Sequence, residues 1–193
     1  VRFYPGGGRD DLKQLTELLS KQKIAAVLCE STTNPLLTSL DLHALRQLAD
    51  QHGFLLVIDD TLAACINHDV LPFADVVVTS LTKYFSGYGD VLAGAVTLNP
   101  ESRHADWLRT ALADNFEELL VDADVDVLEK NSRDVRTRVE TINRNANQLA
   151  GWLIEQPQVE AVYHPSLDTH RFDWMNQHSA NHNGGLLSIV LKN

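Results

Sequence analysis

The chain has 193 residues, 16 basic against 26 acidic, for a formal net charge of −10. No run of like charges occurs in it, which excludes a non-specific nucleic-acid binder, since such a protein needs a basic patch to meet phosphates. Hydrophobic residues make up 44%, ample for a packed core, yet no apolar run approaches the roughly 20 residues of a membrane helix. The chain starts on Val1 rather than Met and shows no leader-like segment, the expectation for a piece of a longer, non-secreted protein.

In chain order, residues 5–8 (PGGG) read as a turn, because no strand precedes them and no GKS or GKT follows. Residues 10–21 place Leu12, Leu15, Leu18 and Leu19 at helical spacing behind two aspartates. Residues 24–30 (IAAVLCE) are a short apolar strand that STTNP breaks. A second amphipathic helix follows over 41–53, with Leu42, Leu45, Leu48 and Ala49 on one face and Gly53 as its stop. Residues 54–60, 74–80 and 91–99 give three more strands. Residues 100–115 read as helix, and 123–156 as a long spine helix interrupted near Asn131 and Ser132 and stopped by Pro157. Residues 159–165 are a strand, 171–181 a short helix, and 184–193 a last strand at an edge or without partners.

Strands that are apolar throughout and separated by helices indicate a parallel sheet covered on both faces. Such sheets bind ligands beyond the carboxyl ends of their strands. Polar residues gather there: Glu30 and Asn34 after the first strand, Asp59, Asp60 and Thr61 after the second, and Ser80, Thr82 and Lys83 after the third. Cys29 and Cys65 lie in apolar surroundings without a CxxC, as buried reduced thiols do. His178 and His182 stand four apart with no Glu between them, which reads as surface rather than metal site.

A carboxylate, hydroxyls and a lysine suit several chemistries. Lys83 alone is an ordinary strand-end lysine. A dehalogenase-type phosphatase also uses Asp, hydroxyl and lysine, but its later acidic pair is missing: Asp122, Asp124 and Asp126 end no strand. A receiver domain would carry its acidic pair on the first strand, and this chain does not. A pyridoxal phosphate site accounts for all three groups. It needs a partly desolvated lysine, hydroxyls for the phosphate, and a carboxylate that keeps the pyridine nitrogen protonated so that the ring acts as an electron sink.

The blocks ESTTNPLL, VIDDT and SLTKYFSGYGDVLAGAV, with residues 128–153 and 159–167 after them, resemble the Cys/Met-metabolism family of fold-type I pyridoxal-phosphate enzymes over nearly the whole chain. The resemblance implies an aspartate-aminotransferase-like, three-layer α/β/α fold with a mostly parallel sheet. It divides the chain into a partial large domain over 1–148 and the start of a smaller α+β domain over 149–193. It makes Lys83 the Schiff-base lysine and the base that removes the substrate's α-proton. Asp59 pairs with the pyridinium nitrogen, Ser80 and Thr82 hold the phosphate, and Asn34 lies near the phenolic oxygen and the substrate carboxylate.

Asp60 stands where the family usually has Asn, and its role is open. Glu30 is expected to shape its loop and Thr61 to fix a turn, with Tyr84 and Tyr88 as packing or loop residues. The family's ring-stacking Tyr, its phosphate-binding Gly-Met turn and its substrate-clamping Arg are not among these residues, so the chain is expected to be the central half of an enzyme and nearly inert by itself. Its wording is most like the γ-synthase branch. That implies γ-replacement on an O-acylhomoserine by cysteine to give cystathionine, in a cytoplasmic homodimer or homotetramer without nucleic-acid or membrane partners. A lyase or sulfhydrylase is the alternative within the family, and a non-catalytic remnant the alternative outside it.

Overall fold

The computed structural model describes residues 9–64, 66–167 and 182–192. The expectations for residues 5–8, Cys65, His178 and the helix 171–181 lie outside the described residues. Helix α1 (Arg9–Lys21) leads to β1 (Ala26–Glu30), α2 (Leu42–His52) and β2 (Leu55–Asp59), then through a short 3-10 turn to β3 (Val76–Ser80). A π-helical turn (Leu81–Phe85) follows, then β4 (Gly94–Leu98), α3 (Ala105–Asn115), α4 (Asp122–Ser132) and α5 (Val135–Leu153). Strands β5 (Val159–Tyr163) and β6 (Ser188–Leu191) close the chain.

The main sheet has the order β1-β2-β3-β4. β1, β2 and β3 are parallel, with Glu30 beside Asp59 and Asp59 beside Val78. β4 runs antiparallel to β3, so the sheet is mostly parallel rather than wholly so. A parallel return needs a crossover of a dozen or more residues, usually a helix, and between β3 and β4 the chain spends its residues on a turn instead. Among the described residues the final strand β6 pairs antiparallel with β5 and with no other strand, so it lies at an edge, one of the two expected placements.

One face of the sheet is packed. Leu15 and Leu19 of α1 and Leu42, Leu45 and Ala49 of α2 bury against Leu56, Ile58 and Val77, each large side chain contributing about 2 kcal/mol on removal from water. Asp41 starts α2 by accepting the Ala44 N–H at 3.0 Å, and Gly53 ends it in the left-handed conformation at φ 79°. The opposite face carries Leu28 beside Val57, and Val78 beside Val96. Leu28 is 71% and Val96 52% exposed, while Val76 on the same face is buried, so among the described residues this face is covered only in part.

The long helical stretch is two helices, with the break at Arg133 and Asp134, two residues beyond the expected point. α5 then runs unbroken past residue 148 to Leu153. Its buried Asn143 exchanges two amide hydrogen bonds with Asn67, at 2.8 and 3.1 Å. The same Asn143 oxygen accepts the Gly184 N–H at 2.9 Å, tying α5 to the loop after β2 and to the approach to β6. Among the described residues no helix is long and apolar enough to cross a membrane.

At the amino end of β3 lies a buried carboxylate, Asp75. It accepts from the Leu56 N–H at 2.8 Å, from Arg46 at 3.1 Å and from the Ser102 hydroxyl. Burial by itself raises its pKa, but the Leu56, Ser102 and Arg46 contacts outweigh it and the net shift is downward. A depressed folded pKa means stability that is present above the unfolded value of 3.8 and lost as pH falls through the lower folded one. Asp75→Ala, which leaves Arg46 without this partner, is expected to lower unfolding stability by about 3 kcal/mol near neutral pH. Urea denaturation should also show the variant losing less stability than wild type on acidification.

Candidate active site

The carboxyl ends of β1, β2 and β3 lie side by side. By register Glu30 neighbours Asp59, while Asp59 and Ser80 share the open sheet face, two strand positions apart across the β2–β3 pair. Thr61 links the two. Its N–H donates to the Asp59 carboxylate at 2.9 Å, and its hydroxyl accepts the Ser80 N–H at 2.9 Å. The expected turn residue therefore fixes the orientation of Asp59 relative to the end of β3.

Beyond β1, the Glu30 carboxylate accepts the Asn34 N–H at 3.1 Å and holds the exposed Asn34–Pro35 loop, whose peptide bond is cis. Ser188 at the start of β6 donates to the Pro35 carbonyl at 2.6 Å. The expected loop-shaping role of Glu30 is what the geometry shows.

Asp60 points the other way and is 3% exposed. The Ser31 hydroxyl donates to it at 3.3 Å. Burial pushes its carboxyl up to about 7, Ser31 opposes that rise, and the charges of Asp59 and Asp69 add to it. Cys29 is also shielded: burial first, and then Glu30, push its thiol up to about 12, which leaves it unreactive.

Past Ser80 the strand ends and the π-helical turn begins. The alternation that would put Ser80 and Thr82 on one face therefore stops between them. The Thr82 hydroxyl faces Ala93, accepting its N–H at 3.0 Å and donating to its carbonyl at 3.3 Å. The turn breaks its regular geometry at Lys83 (φ −78°, ψ −112°), and the lysine side chain is exposed. The desolvation that a nucleophilic lysine needs is not supplied by the described residues. Tyr84 is half-buried with its phenol shifted upward, by burial first and against a hydrogen bond from the Gly185 backbone.

Residues from α4 and α5 hold this turn, and motif reading does not find them. Asn131 donates to the Ser86 hydroxyl at 2.9 Å and to Asp90 at 3.1 Å. Arg138 donates to the carbonyls of Tyr84 and Phe85. Their only sequence signal is the resemblance of the NSRDVRTR stretch to the family.

A mostly parallel sheet with a lysine and a carboxylate at the carboxyl ends of its strands has the frame of a fold-type I pyridoxal-phosphate enzyme. The family described as Cys/Met metabolism PLP-dependent enzyme matches residues 7–193, and the chain belongs to it. It is 38% identical over 193 residues to the cystathionine gamma-synthase of Neurospora crassa, covering 98% of this chain and 31% of that one. It is 43% identical over 156 residues to the alanine racemase ungC of Aspergillus violaceofuscus, covering 77% of this chain and 27% of that one. Among solved structures, cystathionine gamma synthase from Xanthomonas oryzae pv. oryzae in complex with aminoacrylate and cysteine superposes with a TM-score of 0.80 at 27% identity, covering 97% of this chain and 47% of that one. The chain thus spans about a third of the length of the curated relatives.

The family's cofactor is pyridoxal 5′-phosphate. The donors present suit it: an amine at Lys83, a carboxylate at Asp59 already oriented by Thr61, and hydroxyls at the end of β3 and in the turn.

The site yields two expected outcomes. Thr61→Val removes the acceptor of the Ser80 N–H and should cost about 1 kcal/mol, with faster amide exchange at Ser80, whereas Thr61→Ser should restore both. For Asp60, a raised folded pKa means that the folded state holds a proton the unfolded state has released between pH 4 and about 7. Stability therefore falls as pH rises across that window, by up to about 1.4 kcal/mol per unit. Asp60→Asn should flatten that slope in pH-dependent thermal melts.

Proposed function

We propose that these residues are the cofactor-bearing part of an enzyme of sulfur amino-acid metabolism that replaces the γ-substituent of an O-acylhomoserine with cysteine, giving cystathionine. The observation that carries this reading is the placement of Lys83 in the turn directly after β3, with Asp59 held at the end of the adjoining strand. Identity to a cystathionine gamma-synthase over 98% of the chain supports it.

In this reading Lys83 would hold the cofactor covalently, and its free amine would be the base that takes the α-proton of the bound amino acid. Asp59 keeps the pyridine nitrogen protonated. Ser80, Thr82 and nearby backbone N–H groups hold the phosphate, Thr82 sharing its hydroxyl with Ala93. Asn34 orients the substrate carboxylate from the loop that Glu30 shapes. When bound, pyridoxal phosphate supplies the electron sink that stabilises charge on the α-carbon.

The reading brings with it a cytoplasmic homo-oligomer, a large domain over residues 1–148, a smaller one begun over 149–193, and little activity for these residues alone. A second reading is a lyase of the same family or, drawing on the relative named alanine racemase, a racemase. Both reactions start with the same proton removal at Lys83 and differ in the bond that breaks or the proton that returns afterwards.

In the full-length protein, added pyridoxal phosphate should give a visible absorbance band and, after borohydride reduction, a cofactor-bearing peptide containing Lys83. Lys83→Ala should lose both and lower turnover by about 10⁴-fold. A wild-type protein that shows neither refutes the enzyme reading. Cystathionine formed from O-succinylhomoserine and cysteine identifies the synthase. Turnover of cystathionine alone, or of L-alanine to D-alanine, identifies the second reading instead.

A further inference from the structure

We propose that Arg138 is a positioning residue for Lys83, its guanidinium holding the two carbonyls that follow the lysine and so fixing where the lysine amine stands. This inference rests on the reading of Lys83 as the cofactor-bearing lysine.

At the end of the turn Leu81–Phe85 the Ser86 N–H donates to the Leu81 carbonyl and the Gly87 N–H to the Lys83 carbonyl. The carbonyls at the end of a helical turn have no partner inside it, and here they belong to Tyr84 and Phe85. Arg138, on the first turns of α5, supplies one: Nη1 donates to Tyr84 O at 2.6 Å, and Nη2 to Phe85 O at 3.1 Å. The same Nη2 donates to the Asn131 carbonyl at 2.8 Å, where α4 ends. One planar group therefore fastens the lysine turn to the junction of α4 and α5.

The site is built for a guanidinium. The Arg138 side chain is 17% exposed, and Asp134 Oδ1 lies 3.2 Å from Nη2, balancing its charge. The Tyr88 ring lies 5.5 Å from the guanidinium carbon, within cation–π range. Gly87 has φ +83°, and a Cβ there would come 2.2 Å from Nη1. Position 87 thus needs glycine both for its backbone and for the space that Arg138 fills. A lysine at 138 keeps the charge but not the rigid fork that meets two carbonyls in one plane.

A residue that only stapled the loop would lower stability when replaced and leave the chemistry of each folded, loaded molecule unchanged. A positioning residue changes that chemistry. The test compares wild type, Arg138→Lys and Arg138→Met in the full-length protein loaded with pyridoxal phosphate. Both variants should still give the borohydride-trapped peptide at Lys83. Their amides over residues 84–88 should exchange about tenfold faster, while those of β1, β2 and β3 stay at the wild-type rate. The visible circular dichroism per bound cofactor should change. Per loaded molecule kcat should fall by about 10²-fold, the scale of a misplacement near 1 Å, with KM little altered, and lysine should not rescue it.

Should Arg138→Met not fold, Arg138→Lys carries the same criteria. Wild-type kcat per loaded molecule in a folded variant overturns the proposal, even where thermal stability drops. So does unchanged exchange over residues 84–88. A wild-type protein that loads no cofactor at Lys83 fails in a different measurement, and takes down the functional reading and this proposal together.

Discussion

The turn that carries Lys83 is held only in part by apolar burial. Leu81, Tyr84 and Phe85 are half-buried, while Lys83, Gly87, Tyr88 and Gly89 are exposed. Hydrogen bonds from outside supply the rest. Thr82 is tied to Ala93, Ser86 and Asp90 to Asn131, and the carbonyls of Tyr84 and Phe85 to Arg138. Bonds to charged donors are the stronger kind, and Arg138 is the one cation in this set. Because Ser86 is fully buried, its contacts with Asn131 and Asp90 escape competition from water as surface pairs do not. Lys83 is thus exposed in its side chain while its turn is tied down through the backbone.

A similar division of labour operates at the sheet edge. Asp59 ends β2 and Asp60 follows it with its N–H still donating to the Val78 carbonyl at 2.9 Å, so the extended chain turns the two carboxylates to opposite faces. Asp59 lies on the open face, braced by Thr61, while Asp60 turns inward to Ser31. An inward carboxylate pays for desolvation unless it takes a proton, which is why the buried member of the pair titrates near neutrality. A proton on Asp60 also lowers the negative charge beside Asp59 on the open face.

Much of this was legible in the sequence, and the reasons differ by feature. Strands β1, β2 and β3 and helices α1 and α2 follow from short apolar runs and helical leucine spacing, signals that tertiary context did not override. Lys83, Asp59, Ser80 and Asn34 are legible because strand order brings the ends of three strands together. Periodicity does not give the direction of β4, since a strand reads the same either way. The direction of the Thr82 hydroxyl is not given by alternation, because the period-2 argument holds only while the strand lasts, and β3 stops at Ser80. Arg138 and Asn131 escape notice because they reach groups some fifty residues away, and for Arg138 those groups are carbonyls, where the partner's side-chain identity leaves no trace.

Leu28 and Val96 lie open on the sheet face that bears the site. Both faces of β1, β2 and β3 read as apolar, the pattern of a sheet covered twice; among the described residues the side toward α1 and α2 is packed and the other is covered only in part, around Val76. Asp59 and Ser80 stand on that second face, and the turn with Lys83 leaves it. Placement and desolvation are therefore separate contributions in this fold. Placement comes from register, Thr61 and the α4–α5 junction, all within these residues. On the reading of Lys83 as the cofactor lysine, low dielectric is the second requirement, because burial disfavours the ammonium and leaves a nucleophilic amine, and the described residues leave Lys83 exposed.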